Sequence, residues 1–139
     1  MKANRTWTAV LILGLLALSL NPSVLRSEPA VSNAKLLGSW DVEVMADGQS
    51  YYLIMVLTEN QNKLEGKISE QNGFFTDVAL DTIAYDGQSL TFNFIGPTPP
   101  DGVARLIQCE LKWAGDNLEG TLVIPDLNIA APTKAVKKA

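Results

Sequence analysis

The chain has 139 residues, one cysteine, no histidine and a formal net charge of -4. That length suits one domain, and the missing histidine removes the commonest general base and the commonest neutral metal ligand. A lone Cys109 makes neither an internal disulfide nor a cysteine-based zinc site.

Charge is unevenly spread. Between Leu36 and Ala131 four basic residues stand against fourteen acidic ones, a balance of -10. Phosphate backbones demand the opposite sign, so no nucleic-acid partner is expected. The plain reading of the acidity is solubility.

Along the chain, Lys2 and Arg5 precede an uncharged apolar run, Thr8 to Leu20, that Asn21-Pro22 ends. A membrane span needs roughly 20 apolar residues, and this run has the length of a signal-peptide core. Residues 1–27 are therefore expected to be an export signal, with Ser23, Ser27 and Ala30 all open as cleavage positions. A retained anchor is the other reading. Residues 28–35 are expected as a linker. Export without a disulfide fits a periplasmic or secreted bacterial protein, with no transmembrane helix in its mature form.

Gly38 to Met45 alternates, placing Trp40, Val42 and Val44 inward and Asp41 and Glu43 outward. Asp47-Gly48 is a hairpin turn. Ser50 to Thr58 is a long strand, apolar on both faces, and Lys63 to Ser69 returns from it. Phe74 to Asp86 switches parity near Asp81, which predicts a bulge or two short strands. Ser89 to Ile95 places Leu90, Phe92 and Phe94 inward. Gly96 to Gly102, with three prolines, is expected as a stiff loop. Val103 to Trp113 and Leu118 to Ile124 form the next hairpin, and Asn128 to Val136 closes the sheet.

Two hairpins repeat one design. Val56 to Gly66 and Leu111 to Gly120 each run apolar strand, polar turn, Leu-Glu-Gly. A glycine inside a strand marks a sharp coil or a close backbone approach. Sequential hairpins of this kind predict an all-β chain: a single antiparallel up-and-down barrel of 7–8 strands over residues 36–134, with 135–139 a basic tail.

Gly38-Ser39-Trp40 opens the first strand of this meander, and in that position it resembles the lipocalins and the wider calycin group. With the turn-Leu-x-Gly repeats, the chain is similar to small exported bacterial lipocalin-like domains. The resemblance implies that Trp40 plugs one barrel end, with an arginine of a late strand packed over it, and that the interior holds a ligand. Arg105 stands mid-domain rather than on the last strand.

Trp40, Phe92, Phe94 and Trp113 are expected in the core. For a ligand, Arg105 is the candidate to meet an anionic head group, and Tyr51, Tyr52, Phe74 and Phe75 are candidates to line or gate a cavity. Each has a plain alternative: a strand-end arginine reaching solvent, and ordinary packing. Cys109, on inward parity, reads as an inert core thiol. No catalytic residue, metal or cofactor is expected. The functional expectation is a non-catalytic binding module, holding a small apolar or amphipathic ligand if the barrel is hollow. If it is filled, the expectation is a module that binds a protein partner or the cell envelope.

Overall fold

The computed structural model describes residues 31–139; the expected signal and residues 28–30 lie outside them. The strands are β1 (Gly38–Ala46), β2 (Gln49–Asn60), β3 (Lys63–Glu70), β4 (Val78–Ala79), β5 (Asp81–Tyr85), β6 (Ser89–Thr98), β7 (Val103–Ala114), β8 (Asn117–Ile124) and β9 (Ile129–Lys137). They form one sheet in the order β4-β3-β2-β1-β9-β8-β7-β6-β5. The first and last strands pair antiparallel, Val42 opposite Ala135, so the meander curls into a nearly closed barrel. Among the described residues no helix is long and apolar enough to cross a membrane.

The turns follow from local chemistry. Asp47 and Gly48 take φ 52° and 74°, and Gln61 and Asn62 take φ 50° and 62°. Positive φ at both central residues is what a two-residue turn needs to match the twist of its strands.

The strand count is nine rather than seven or eight, because the strand containing the parity switch is divided. Its first part, β4, pairs with β3, placing Val78 opposite Ile68. The Leu80 N–H then donates to the Gly66 carbonyl at 2.9 Å. One residue later Asp81 pairs with Asn93 of β6, and the register slips before Ala84. Thr82, at φ 50°, accommodates the slip. The chain thus crosses from one sheet edge to the other at the residue where the hydrophobic parity changes.

A second difference concerns the proline-rich segment. It is not all loop: β6 continues through Gly96 and Pro97 to Thr98, opposite Arg105, Ala104 and Val103 of β7. Backbone direction explains how a strand admits this proline. The Trp113 N–H donates to the Gln88 carbonyl, on the β7 side, while the Asp86 N–H donates to the Ser89 carbonyl, on the β5 side. Alternation then turns the nitrogen of Pro97 toward the β5 side, where β5 no longer runs and no ladder bond is lost. At the other end of the chain β9 extends to Lys137, past residue 134, and the Lys138 N–H still donates to Ser39 at 2.9 Å.

Inward positions alternate as the sequence predicts. Trp40, Met55, Leu90, Leu111 and Leu118 are fully buried, with Phe92, Phe94, Ile107 and Ile68 almost so. They form one continuous apolar cluster. Phe92 and Phe94 lie 6.4 Å apart between ring centroids, and Phe94 meets Phe75 at 6.1 Å.

Candidate functional site

The up-and-down order gives the barrel two distinct ends. At the end where β1 begins, the Trp40 indole N–H donates to the Leu36 carbonyl at 2.8 Å, and Leu36 is itself fully buried. Trp113 packs against Trp40 at 5.9 Å and donates its indole N–H to the Tyr85 hydroxyl at 2.7 Å. Tyr85 in turn donates to the Gly87 carbonyl at 3.0 Å. Over the Trp40 ring, 5.8 Å from its centroid, stands the ammonium of Lys137, which also donates to the Lys35 carbonyl at 3.1 Å. This end is a plug in which every indole proton is used. The cation over the tryptophan comes from the last strand, and it is a lysine. Sequence reasoning missed Lys137 because it sits in what reads as a basic tail.

Four of the five ligand candidates gather at the opposite end. Tyr51 is half-buried beside Val44, and its hydroxyl reaches Gln49 at 3.3 Å. Phe74 is exposed at the tip of the β3–β4 loop, facing Gly102, while Phe75 turns in against Phe94. Glu70 ties this loop down by accepting the N–H groups of Asn72 at 2.8 Å and Phe74 at 3.0 Å. Tyr52, the fifth, lies on the outer face opposite Glu43 and is about half exposed.

Arg105 is brought to this same end, and its guanidinium is already matched. It donates to both oxygens of Asp101 at 2.7 Å and to the Thr98 hydroxyl at 2.6 Å. Thr98 is buried and its hydroxyl donates to the Val103 carbonyl at 3.1 Å. The fork-to-fork pair closes the β6–β7 loop in the geometry an anionic ligand would otherwise occupy. The signal for this pairing is legible afterwards: Asp101 sits in the turn at residues 99–102, four residues before Arg105.

The Arg105 hydrogen bonds, with the Val103 N–H, hold the Asp101 carboxyl well below the usual carboxylate range. The N–H groups of Ser89 and Gln88 lower Asp86 in the same direction. A depressed carboxylate contributes stability that is complete above its unfolded pKa, near about 4, and is lost as pH falls through the folded value. The melting temperature is therefore expected to hold level at mildly acidic pH and to fall below pH about 4. Asp101→Asn should flatten part of that fall in a pH series of thermal melts. An unchanged slope would show that the pair does not couple to folding.

Cys109 is buried in the barrel wall, and burial pushes its thiol up to about 12. The thiolate is the reactive form, so native protein is expected to resist iodoacetamide at neutral pH and to be alkylated stoichiometrically in denaturant. Mass spectrometry of the two samples checks this. Rapid labelling of the native protein would mean that the wall around β7 opens.

Outside the barrel lie two open grooves of about 490 Å³ each. One crosses the outer face of β1, β2 and β9, between Asp41, Glu43, Tyr52, Gln71, Lys134 and Val136. The other follows the gap in the sheet, between Val78, Leu80, Asp81, Phe94, Ile95 and Leu106. Ile95 is the more informative residue here. It is 65% exposed and breaks the polar outward series Thr91, Asn93. That break is visible in the sequence.

Together these features define the class: a small, nearly closed antiparallel up-and-down β-barrel, compatible with a lipocalin-like fold. The chain matches no family model and no curated protein.

Proposed function

We propose that this chain is an exported, non-catalytic binding module that acts through the outside of its barrel, on a protein partner, rather than through a ligand held within. The observation that carries the reading is the occupancy of the interior. Trp40, Met55, Leu90, Phe92, Phe94 and Leu111, drawn from four strands, are 0–2% exposed and form one cluster. An eight-to-nine-stranded barrel has room for either packed side chains or one small ligand, and large aromatic residues at these positions favour the first.

The charged groups support the same reading. Asp86 and Asp101 commit their oxygens to turn N–H groups and to Arg105, which is structural chemistry. Native mass spectrometry of gently purified protein tests the proposal. The expected spectrum is the bare polypeptide mass. A stoichiometric lipid-sized adduct that survives dilution would overturn it in favour of a carrier.

A further inference from the structure

The outer face of the β6–β7 hairpin is divided into two halves of opposite chemistry. We infer that its apolar half, at the end away from the tryptophan plug, docks a partner protein through a patch with an apolar centre and a basic rim. This rests on the reading of the barrel as a surface-acting module, and it names the site and the kind of partner.

The division follows from register and parity. Toward the plug, the outward pairs are Ser89 with Lys112, Thr91 with Glu110 and Asn93 with Gln108. The next two outward pairs are Ile95 with Leu106 and Pro97 with Ala104. Both strands thus change from polar to apolar at the same step. Ile95 is the most exposed large apolar residue among the described residues, and Leu106 beside it is exposed as well. Leu80 and Val78, across β6 from Leu106, extend the apolar surface and line a shallow groove with this pair. Single exposed apolar side chains are ordinary, but a contiguous group of them marks an interaction surface. Such a surface forms the centre of an interface, with polar groups at its rim.

The hairpin end is also held in shape before any partner arrives. The Gly102 N–H donates to the Thr98 carbonyl at 2.9 Å and the Val103 N–H to Asp101 at 3.1 Å. The Arg105 fork closes on both oxygens of Asp101. Arg105 is therefore a positioning residue for this surface. A surface already in its bound shape loses less conformational freedom on binding.

Charge selects the partner's rim. Asp81 borders the patch on the β5 side, and Asp77 lies just before β4. Asp101 stands at the hairpin tip, and Asp126 is near enough to Arg105 to favour its charged form. Against these stand Arg105, already bound to Asp101, and Lys67, opposite Ala79 on β3. The whole barrel repeats the excess, with fourteen acidic to four basic residues between Leu36 and Ala131. A second copy of the barrel, or an anionic lipid surface, meets like charge here; a basic protein surface meets its complement.

The test is an NMR titration of the isotopically labelled full chain with a capped hexapeptide of alternating leucine and arginine. A leucine–glutamate hexapeptide is the comparison. The expected result is saturable shifts centred on Ile95, Ala104 and Leu106, with the acidic peptide bound about tenfold more weakly. Ile95→Ser and Asp126→Asn should each weaken the arginine peptide several-fold while melting as the parent does. Val56→Ser, at an exposed position on the outer face of β2, should leave that affinity unchanged. Equal binding of both peptides, shifts centred elsewhere, or no saturable shift would overturn the inference. So would self-association, or flotation with phosphatidylcholine–phosphatidylglycerol vesicles, that Ile95→Ser abolishes, since either gives the patch another occupant. A failure here with a bare native mass leaves the surface-acting reading in place; a bound lipid in the barrel removes both.

Discussion

Trp40→Ala is expected to lower the melting temperature by about 20 °C or more, from the loss of about 3–5 kcal/mol that truncating a buried aromatic costs. The indole is fully buried, touches Trp113, lies under the Lys137 ammonium and satisfies the Leu36 carbonyl. Removing it opens a cavity and strands a carbonyl in the same place. Trp40→Phe separates the two effects. It keeps most of the volume and leaves the Leu36 carbonyl without its donor, so a smaller cost of about 1–3 kcal/mol is expected. Thermal and denaturant melts of both variants supply the measurement. A loss below about 1 kcal/mol for Trp40→Ala would mean that the plug is not what closes this end.

Gly120→Ala should be nearly as damaging, for a different reason. Gly120 sits opposite Leu111 on β7, and a Cβ built there would fall inside the van der Waals radius of the Glu110 carbonyl. The obstacle is backbone in the middle of a ladder and cannot step aside, so a cost of about 3 kcal/mol is expected, the top of the usual range for overpacking. The matching glycine of the other repeat is the control. Gly66 sits opposite Leu57, and a Cβ there would meet the Leu80 and Leu57 side-chain ends at 2.6 and 2.9 Å, and the Val56 carbonyl at 3.1 Å. Leucine ends can rotate, so Gly66→Ala should cost roughly 1 kcal/mol. Equal, small losses at both positions would contradict the close approach of β7 and β8.

The barrel was largely legible in the sequence because alternation is a strong signal when one face is buried. Trp40, Val42 and Val44, or Leu90, Phe92 and Phe94, leave little freedom of register. The Leu-Glu-Gly repeat marks a real symmetry: in both hairpins its glycine lies across from a leucine of the preceding strand. Two features were less legible. Pro97 within a strand depends on which side of β6 its nitrogen faces, and that depends on where β5 stops, a property of the closed sheet rather than of the local sequence. Lys137 looks like tail until β9 is seen to pair with β1 as far as Trp40.

The candidate site was less legible still. Parity correctly sends Arg105 toward the inner side, but it says nothing about Asp101 reaching it first across the turn. Tyr51 and Tyr52 are adjacent in the chain, and strand geometry necessarily sends them to opposite faces, so they cannot line one cavity together. Ile95 and Leu106 stand on outward parity in different strands, and their meeting on the outer face follows from the β6–β7 register.

The central claim is that the interior is packed with its own side chains and that binding happens outside. It is tested most directly by titrating the protein with a fluorescent fatty acid while following both the probe and the tryptophan emission, since Trp40 and Trp113 meet inside the plugged end. The account predicts no saturable uptake and no change in tryptophan emission. Saturable, one-to-one uptake with energy transfer from the tryptophans would contradict it and make the barrel a carrier.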